Sequence, residues 1–198
     1  MELQGKPLSE RIGFTRFFRD LKYNRHRTRQ LVGISFVILL TILGKPTNAG
    51  LYIVGAALVV LGMAVRMWAS GHVRKNKALA MSGPYAYVRH PQYVGNHLIA
   101  LGFCVASGLW WSYFVWIALG FFYYPQTIAH EDQHLARSFP GVWEAWAKQT
   151  RALIPSLRPY RSGQVAEWSF RQSLRQNGEP IIAALLLLCL YILHIPLR

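Results

Sequence analysis

Long apolar stretches separated by charged segments set the pattern of this chain. Residues 30–44, 51–65, 91–130 and 180–197 carry no Lys, Arg, Asp or Glu. A charge at the centre of a bilayer costs roughly 3 kcal/mol, so gaps of this length indicate membrane spans. The gap at 91–130 is too long for one helix and is interrupted at Ser107-Gly108, which predicts a helical hairpin. The pattern therefore predicts an all-α integral membrane bundle of about five transmembrane helices, at residues 30–44, 51–65, 92–106, 111–124 and 180–197.

Basic residues predict how this bundle is oriented. They concentrate in segments 1–30, 66–90 and 131–179, whereas the connections on the other side hold only Lys45. Cytoplasmic loops of membrane proteins carry an excess of Lys and Arg. We therefore expect the N-terminus and these three segments on the cytoplasmic side, and the C-terminal Arg198 on the opposite side.

Length and composition narrow the class further. The chain has 198 residues, enough for one domain, which we predict to have a core region at 66–155, a basic arm at 1–30 and a C-terminal helix at 180–197. The net charge of +14 does not predict a nucleic-acid partner, because the basic residues flank the apolar stretches. Cys104 and Cys189 lie inside apolar stretches and indicate core residues, not a disulfide or a metal site.

Residues 82–96, SGPYAYVRHPQYVGN, form the densest polar and aromatic motif. Pro91 suits the first turn of a helix, so Arg89 and His90 would lie beside free backbone N–H groups and the positive end of the helix dipole. Such a position attracts a carboxylate or a phosphate. The alternative interpretation is a positively charged cytoplasmic loop whose tyrosines lie in the membrane interface.

A second motif follows the predicted hairpin. The acidic pair Glu131-Asp132 is followed by aromatics in the order Phe-x3-Trp-x2-Trp and by a final Ile-Pro. Together with the preceding GPYxxxRHPxY, this arrangement resembles the isoprenylcysteine carboxyl methyltransferase and phospholipid methyltransferase superfamily of integral membrane enzymes. The resemblance covers residues 66–155, and two motifs in the same order make it specific.

The resemblance implies an S-adenosylmethionine site at the cytoplasmic mouth of the bundle. Arg89 and His90 would hold the methionine carboxylate, and Glu131 would accept hydrogen bonds from the cofactor's ribose hydroxyls or ammonium. These three are the implied catalytic residues. The implied cofactor-binding residues are Gly83, Pro84, Tyr85, Tyr87, Arg89, His90, Tyr93, Gly95, Glu131 and Asp132.

The implied activity is methyl transfer to a lipid-like or isoprenoid acceptor that enters from the bilayer. Prenylcysteine-type carboxyl O-methylation is the first expectation, although Thr127 stands where prenylcysteine-methylating relatives often have arginine. Phospholipid N-methylation, an NADPH-dependent sterol-type reduction and a non-catalytic role in partner binding are the alternatives. The sequence does not predict the oligomeric state.

One rival motif overlaps the acidic pair. Residues 130–134, HEDQH, match the zinc-protease pattern H-E-x-x-H, in which both histidines lie on one face of a helix. Asp132 occupies an x position that is normally uncharged, and the sequence downstream offers no clear third ligand. We therefore predict no metal.

Overall fold

The computed structural model describes residues 25–73, 78–161 and 167–195, without the side chains of residues 25–30 and 175–177. Most of the predicted basic arm thus lies outside the described residues. No strand occurs among those described, which confirms the all-α class. The helices are α1 Arg25–Leu43, α2 Ala49–His72, α3 Pro91–Ser107, α4 Ser112–Ala118, α5 Tyr124–Ser138, α6 Val142–Ala147, α7 Phe170–Asn177 and α8 Glu179–His194. Contacts divide the chain into two units, Met1–Ser35 and Phe36–Arg198, and both sequence motifs belong to the second unit.

Helix α3 begins and ends where the sequence predicts. Pro91 occupies its first turn and His90 is its N-cap residue. Gly108 follows the helix with φ of +69°, a left-handed conformation that glycine adopts without steric cost. Helix α2 instead extends to His72, beyond the predicted end at residue 65. The prediction took the charge of Arg66 as a boundary, but this charge is paired inside the protein.

The backbone from α4 to α5 stays helical well past the predicted end of the fourth span at residue 124. A π-helical turn, Leu119–Tyr123, joins α4 directly to α5. Pro125 follows this turn, and in a regular α-helix its ring would clash with the carbonyl of Phe121. A wider turn relieves such a clash, so the proline does not end the helix. The acidic pair therefore lies within α5.

Only α2, among the described helices, is long and apolar enough to cross a membrane by itself. It has 24 residues and contains an 18-residue window with a mean hydropathy of 1.9, whereas Leu31–Leu43 and α8 are apolar but shorter. The fold therefore does not establish the expected five spans.

Glycine pairs bring α2 and α3 into close contact. A Cβ atom added to Gly55 would lie 2.5 Å from the carbonyl oxygen of Gly102, and one added to Gly62 would lie 2.7 Å from that of Gly95. The two pairs are seven residues apart on each helix, which is about two helical turns. The spacing explains why α2 and α3 can pack along their length, and it fixes the start of α3, where the RHP motif lies.

Candidate functional site

The two sequence motifs meet at the start of α3. Asp132 Oδ2 accepts a hydrogen bond from Arg89 Nη2 at 3.1 Å, and Asp132 Oδ1 lies 3.0 Å from His90 Nε2. The other ring nitrogen, His90 Nδ1, is 3.6 Å from Glu131 Oε2. Tyr93 donates its hydroxyl to the same Glu131 oxygen. These residues, Arg89, His90, Tyr93, Glu131 and Asp132, form what we call the acid–base cluster.

Main-chain hydrogen bonds hold the loop before α3 against the segment after α6. The N–H groups of Arg89 and His90 donate to the carbonyls of Arg151 and Ala152, at 2.8 and 3.1 Å. The pairing continues where Ser156 and Tyr160 donate to carbonyls of the loop. Residues 86–90 are thus fixed by backbone contacts, and the orientation of Arg89 and His90 does not depend on their side chains alone.

Trp146 anchors the same junction. Its side chain is fully buried, and its indole nitrogen donates to the Tyr85 carbonyl at 3.1 Å. It packs in a small apolar cluster separate from the helix core, with Leu79 and Met81. The aromatics of the second motif therefore support the loop that carries the first.

Arg89 links the two motifs through two of its three guanidinium nitrogens, Nη1 and Nη2. Besides its bond to Asp132, it donates from Nη1 to the carbonyls of Ala147, at 3.2 Å, and Thr150. Its Nε is buried without a hydrogen-bond partner among the described residues. Arg89 is therefore a structural clamp between the loop and the end of α6, in addition to its contact with the acidic pair.

Burial and the charges of the cluster shift the pKa values of Asp132 and Tyr85. Burial acts to raise the pKa of Asp132, but the hydrogen bond and charge of His90, together with Arg89, outweigh it and leave this pKa below its usual value. Burial raises the pKa of Tyr85, and the nearby Glu131 and Glu179 carboxylates raise it further. The site thus holds an ionised Asp132 and a neutral Tyr85 phenol.

Other residues of the first motif have packing positions. Gly83 has φ of +59°, and any side chain there would collide with the ring of His72. Gly95 lies in the close contact between α2 and α3. Pro84 is buried, whereas Tyr87 is exposed. The structure therefore brings together one part of the expected cofactor-binding set and leaves these four residues outside the acid–base cluster.

A second buried ion pair was not expected from the sequence. Arg66 on α2 donates from Nε and Nη2 to both carboxylate oxygens of Glu179, at 2.9 and 2.7 Å, and from Nη1 to Asn96 on α3. Glu179, in the first turn of α8, is 4% exposed. The sequence offered a weak signal: an acidic residue directly before the apolar stretch at 180–197, where an acidic side chain favours the positive end of a helix.

The two histidines of the zinc-protease pattern lie outside the acid–base cluster. His130 and His134 are both exposed on α5. In the part of the chain that the structure describes, no three His, Cys, Asp or Glu side chains are grouped so as to hold a metal ion.

Comparisons with known proteins show which family the chain resembles. The sequence profile of the phospholipid methyltransferase family matches residues 49–141, which include both halves of the acid–base cluster. The chain is 32% identical over 151 residues to a nickel-cobalt-cadmium resistance protein of Alcaligenes xylosoxydans xylosoxydans, covering 68% of this chain and 69% of that protein. The helical fold and the paired motifs are those of a family of integral membrane proteins. This chain belongs to the phospholipid methyltransferase family, which includes the isoprenylcysteine methyltransferases.

Two further relatives match over shorter regions. A cobalt-zinc-cadmium resistance protein of Cupriavidus metallidurans is 37% identical over 121 residues, which are 59% of this chain and 53% of that protein. A protein-S-isoprenylcysteine O-methyltransferase of Schizosaccharomyces pombe is 30% identical over 106 residues, 54% of this chain and 45% of that protein. The chain thus spans about half the length of these two relatives. No solved structure matches it.

Proposed function

We propose that this protein transfers a methyl group from S-adenosylmethionine to an amphiphilic acceptor at the membrane surface. The observation that carries the proposal is the acid–base cluster, in which the two motifs of the methyltransferase family come into direct contact. S-Adenosylmethionine supplies, when bound, a methyl group made electrophilic by a sulfonium centre.

The residues of the cluster suit this cofactor. The Glu131 side chain is 32% exposed and accepts from Tyr93, so one carboxylate is positioned and still accessible to an ammonium or to ribose hydroxyls. His90 caps α3 without a side-chain hydrogen bond to the helix, and both of its ring nitrogens face the acidic pair. The rings of His90 and Tyr93 stack with centroids 5.2 Å apart and provide an aromatic surface that favours a cation.

The protein's own residues would act mainly by positioning. Arg89 holds the loop to the segment after α6, and Asp132 holds Arg89 and His90 together. An anionic acceptor needs no general base, so alignment and exclusion of water would supply most of the rate enhancement. An amine acceptor would need to lose a proton to a general base before the attack.

The proposal includes five membrane spans, with the acid–base cluster on the cytoplasmic side and the C-terminus opposite. The distribution of basic residues supports it. Lys45 and Gln149 are both exposed and belong to connections on opposite sides. Cysteines placed at these two positions should react with an impermeant reagent from opposite sides; labelling of both from the cytoplasm would contradict the topology.

For the acceptor we propose a prenylcysteine-type carboxylate, by analogy with the Schizosaccharomyces pombe relative, whose name states that activity. Two relatives are named for metal resistance, but the described donor side chains do not gather around a metal position. Neither name changes the proposed chemistry of this chain.

The deciding experiment is calorimetry on the purified protein in detergent. We expect S-adenosylhomocysteine to bind, NADPH not to bind, and a chelator to leave binding unchanged. Binding of NADPH alone would favour the sterol-type reductase alternative. Loss of activity with a chelator, together with one zinc bound through His130 and His134, would favour the metalloprotease interpretation.

A further inference from the structure

We infer that His97 and Trp116 form the acceptor subsite and that they select an oxygen nucleophile, specifically a carboxylate, over an amine. The inference rests on the proposed function and names its substrate class. It starts from a set of ring contacts one helical turn beyond the acid–base cluster, which neither the motifs nor the family match assigns.

The subsite lies where α3 meets the helix formed by α4 and α5. His97 follows Tyr93 by four residues, so the two side chains lie on the same face of α3. The His97 ring is 4.3 Å from the Tyr124 ring and 6.1 Å from the Trp116 ring, measured between centroids. Tyr124 in turn contacts Tyr93 edge-on at 5.4 Å. A continuous row of rings therefore connects His97 to the acid–base cluster.

The π-helical turn is the reason that Trp116 joins this row. Eight residues of regular α-helix, at 3.6 residues per turn, would place Trp116 and Tyr124 roughly 80° apart around the axis. One additional residue in a wide turn returns them to roughly the same face. Gly120, inside this turn, lies against His97: a Cβ there would be 3.2 Å from the imidazole Cε1. Wide turns of this kind occur frequently at functional sites.

Trp116 supplies the evidence for a ligand. Its indole Nε1 is buried and has no hydrogen-bond partner among the residues that the structure describes. Buried polar groups are nearly always paired, so an unpaired indole N–H beside a histidine indicates a group that another molecule provides.

The chemistry of the indole restricts that molecule. An indole N–H only donates, so its partner must accept, as carboxylate, carbonyl and phenolate oxygens do. A protonated amine only donates, and a neutral amine uses its single lone pair to attack the methyl group, so either form would leave the indole unpaired. Phe121 and Phe122, on the wide turn, are exposed apolar side chains that suit contact with the hydrocarbon tail of an amphiphile. An acceptor with an apolar tail and a terminal carboxylate satisfies both features.

The reaction then balances without a base. One carboxylate oxygen uses a lone pair to form the new O–CH3 bond, and the S–CH3 bond breaks with its electron pair remaining on sulfur. The sulfonium becomes a neutral thioether and the carboxylate a neutral ester. No proton moves, so the subsite needs no general base.

Kinetics of Trp116→Phe test the inference, because this change removes the N–H and keeps an aromatic ring. We would measure methyl transfer from labelled S-adenosylmethionine in lipid nanodiscs, to a prenylcysteine carboxylate analogue and to phosphatidylethanolamine. We expect wild type to use the carboxylate, and Trp116→Phe to raise its KM about tenfold. The affinity for S-adenosylhomocysteine should stay within about twofold. Trp110→Phe, at an exposed tryptophan, is the matched control and should change neither value.

The outcomes distinguish failure of the proposed function from failure of the inference. Wild type that does not bind S-adenosylhomocysteine overturns the proposed function, and the inference with it. Wild type that binds and transfers, but whose Trp116→Phe variant keeps its KM within about twofold, overturns the inference alone. Transfer to phosphatidylethanolamine and not to the carboxylate also overturns the inference while leaving the methyltransferase function standing.

Discussion

Two arginine–carboxylate pairs lie close to each other in this protein and differ in how completely they are satisfied. Arg66 and Glu179 share two hydrogen bonds, and their side chains are 13% and 4% exposed. Arg89 and Asp132 share one hydrogen bond at 3.1 Å, beside Glu131, which is partly accessible. The first pair joins α2 to α8, whereas the second joins the two sequence motifs.

The difference separates a structural role from a chemical one. Each guanidinium nitrogen of Arg66 has a protein partner and Glu179 is buried, so this pair serves to fix α8 against the bundle. The acid–base cluster keeps an accessible carboxylate at Glu131. It also has an Arg89 Nε without a partner among the described residues, so it retains groups that can bind a ligand. Substitutions in and around the two pairs therefore test this distinction.

The largest effect should follow from Glu179→Gln. Removing one partner leaves the buried charge of Arg66 uncompensated, which typically costs about 3–5 kcal/mol. The thermal midpoint in detergent should fall by about 10 °C. The double variant Arg66→Met/Glu179→Leu should recover most of this loss, and Glu167→Gln, at an exposed position, should change nothing. A single variant as stable as wild type would show that the pair does not support the fold.

Glu131→Gln should affect binding and not stability. Loss of a charge-assisted hydrogen bond costs about 1.5–3 kcal/mol, or roughly ten- to hundredfold in affinity for S-adenosylhomocysteine. Glu144→Gln, which alters an exposed carboxylate, is the matched control. Arg89→Ala should weaken affinity and lower the thermal midpoint together, because Arg89 also clamps the loop. Unchanged affinity in both variants would place the cofactor site elsewhere.

Asp132 should make stability depend on pH on the acidic side. Its pKa in the folded state is depressed, so its contribution is complete above the ordinary aspartate pKa of about 4 and is lost as pH falls through the lower folded value. Asp132→Asn should therefore be less stable than wild type at pH 7, and the difference should shrink as pH falls towards about 3. Parallel stability curves for the two proteins would rule out the ionised pair.

The smallest effect should distinguish two tryptophans of the second motif. Trp146 donates to the Tyr85 carbonyl, whereas Trp143 Nε1 is buried without a partner in the described part of the chain. Trp146→Phe should lose about 1 kcal/mol, a fall of roughly 2–4 °C in the thermal midpoint. Trp143→Phe should be neutral or slightly stabilising. Equal losses in both variants would mean that ring packing, and not the hydrogen bond, holds the loop.

Local signals in the sequence predicted the features that depend on local chemistry. The break at Gly108 and the start of α3 at Pro91 follow from the backbone preferences of glycine and proline. The meeting of Arg89 and His90 with Glu131 and Asp132 followed from the family resemblance, which fixes the order of the motifs.

Features that depend on which helices become neighbours could not be predicted in this way. Arg66 has the sequence setting of a membrane-boundary charge, and only the position of α8 shows that Glu179 compensates it. The π-helical turn was not predicted, because helical periodicity is hard to read in a stretch that is apolar at most positions. For the same reason Trp116 gave no signal as a candidate site residue.

The sequence separation of the polar contacts has a consequence for the order in which the chain folds. Arg89 meets the Thr150 carbonyl 61 residues later, and Arg66 meets Glu179 across 113 residues, whereas α2 and α3 are near neighbours in the chain. Contacts between distant residues carry a larger loop-closure entropy and form more slowly. During synthesis, α2 and α3 can therefore pair on their glycines while the acid–base cluster is still incomplete. The loop that carries Arg89 and His90 gains its main-chain partners only after residues 151–160 have been synthesised, and Arg66 gains its partner later still, when α8 arrives.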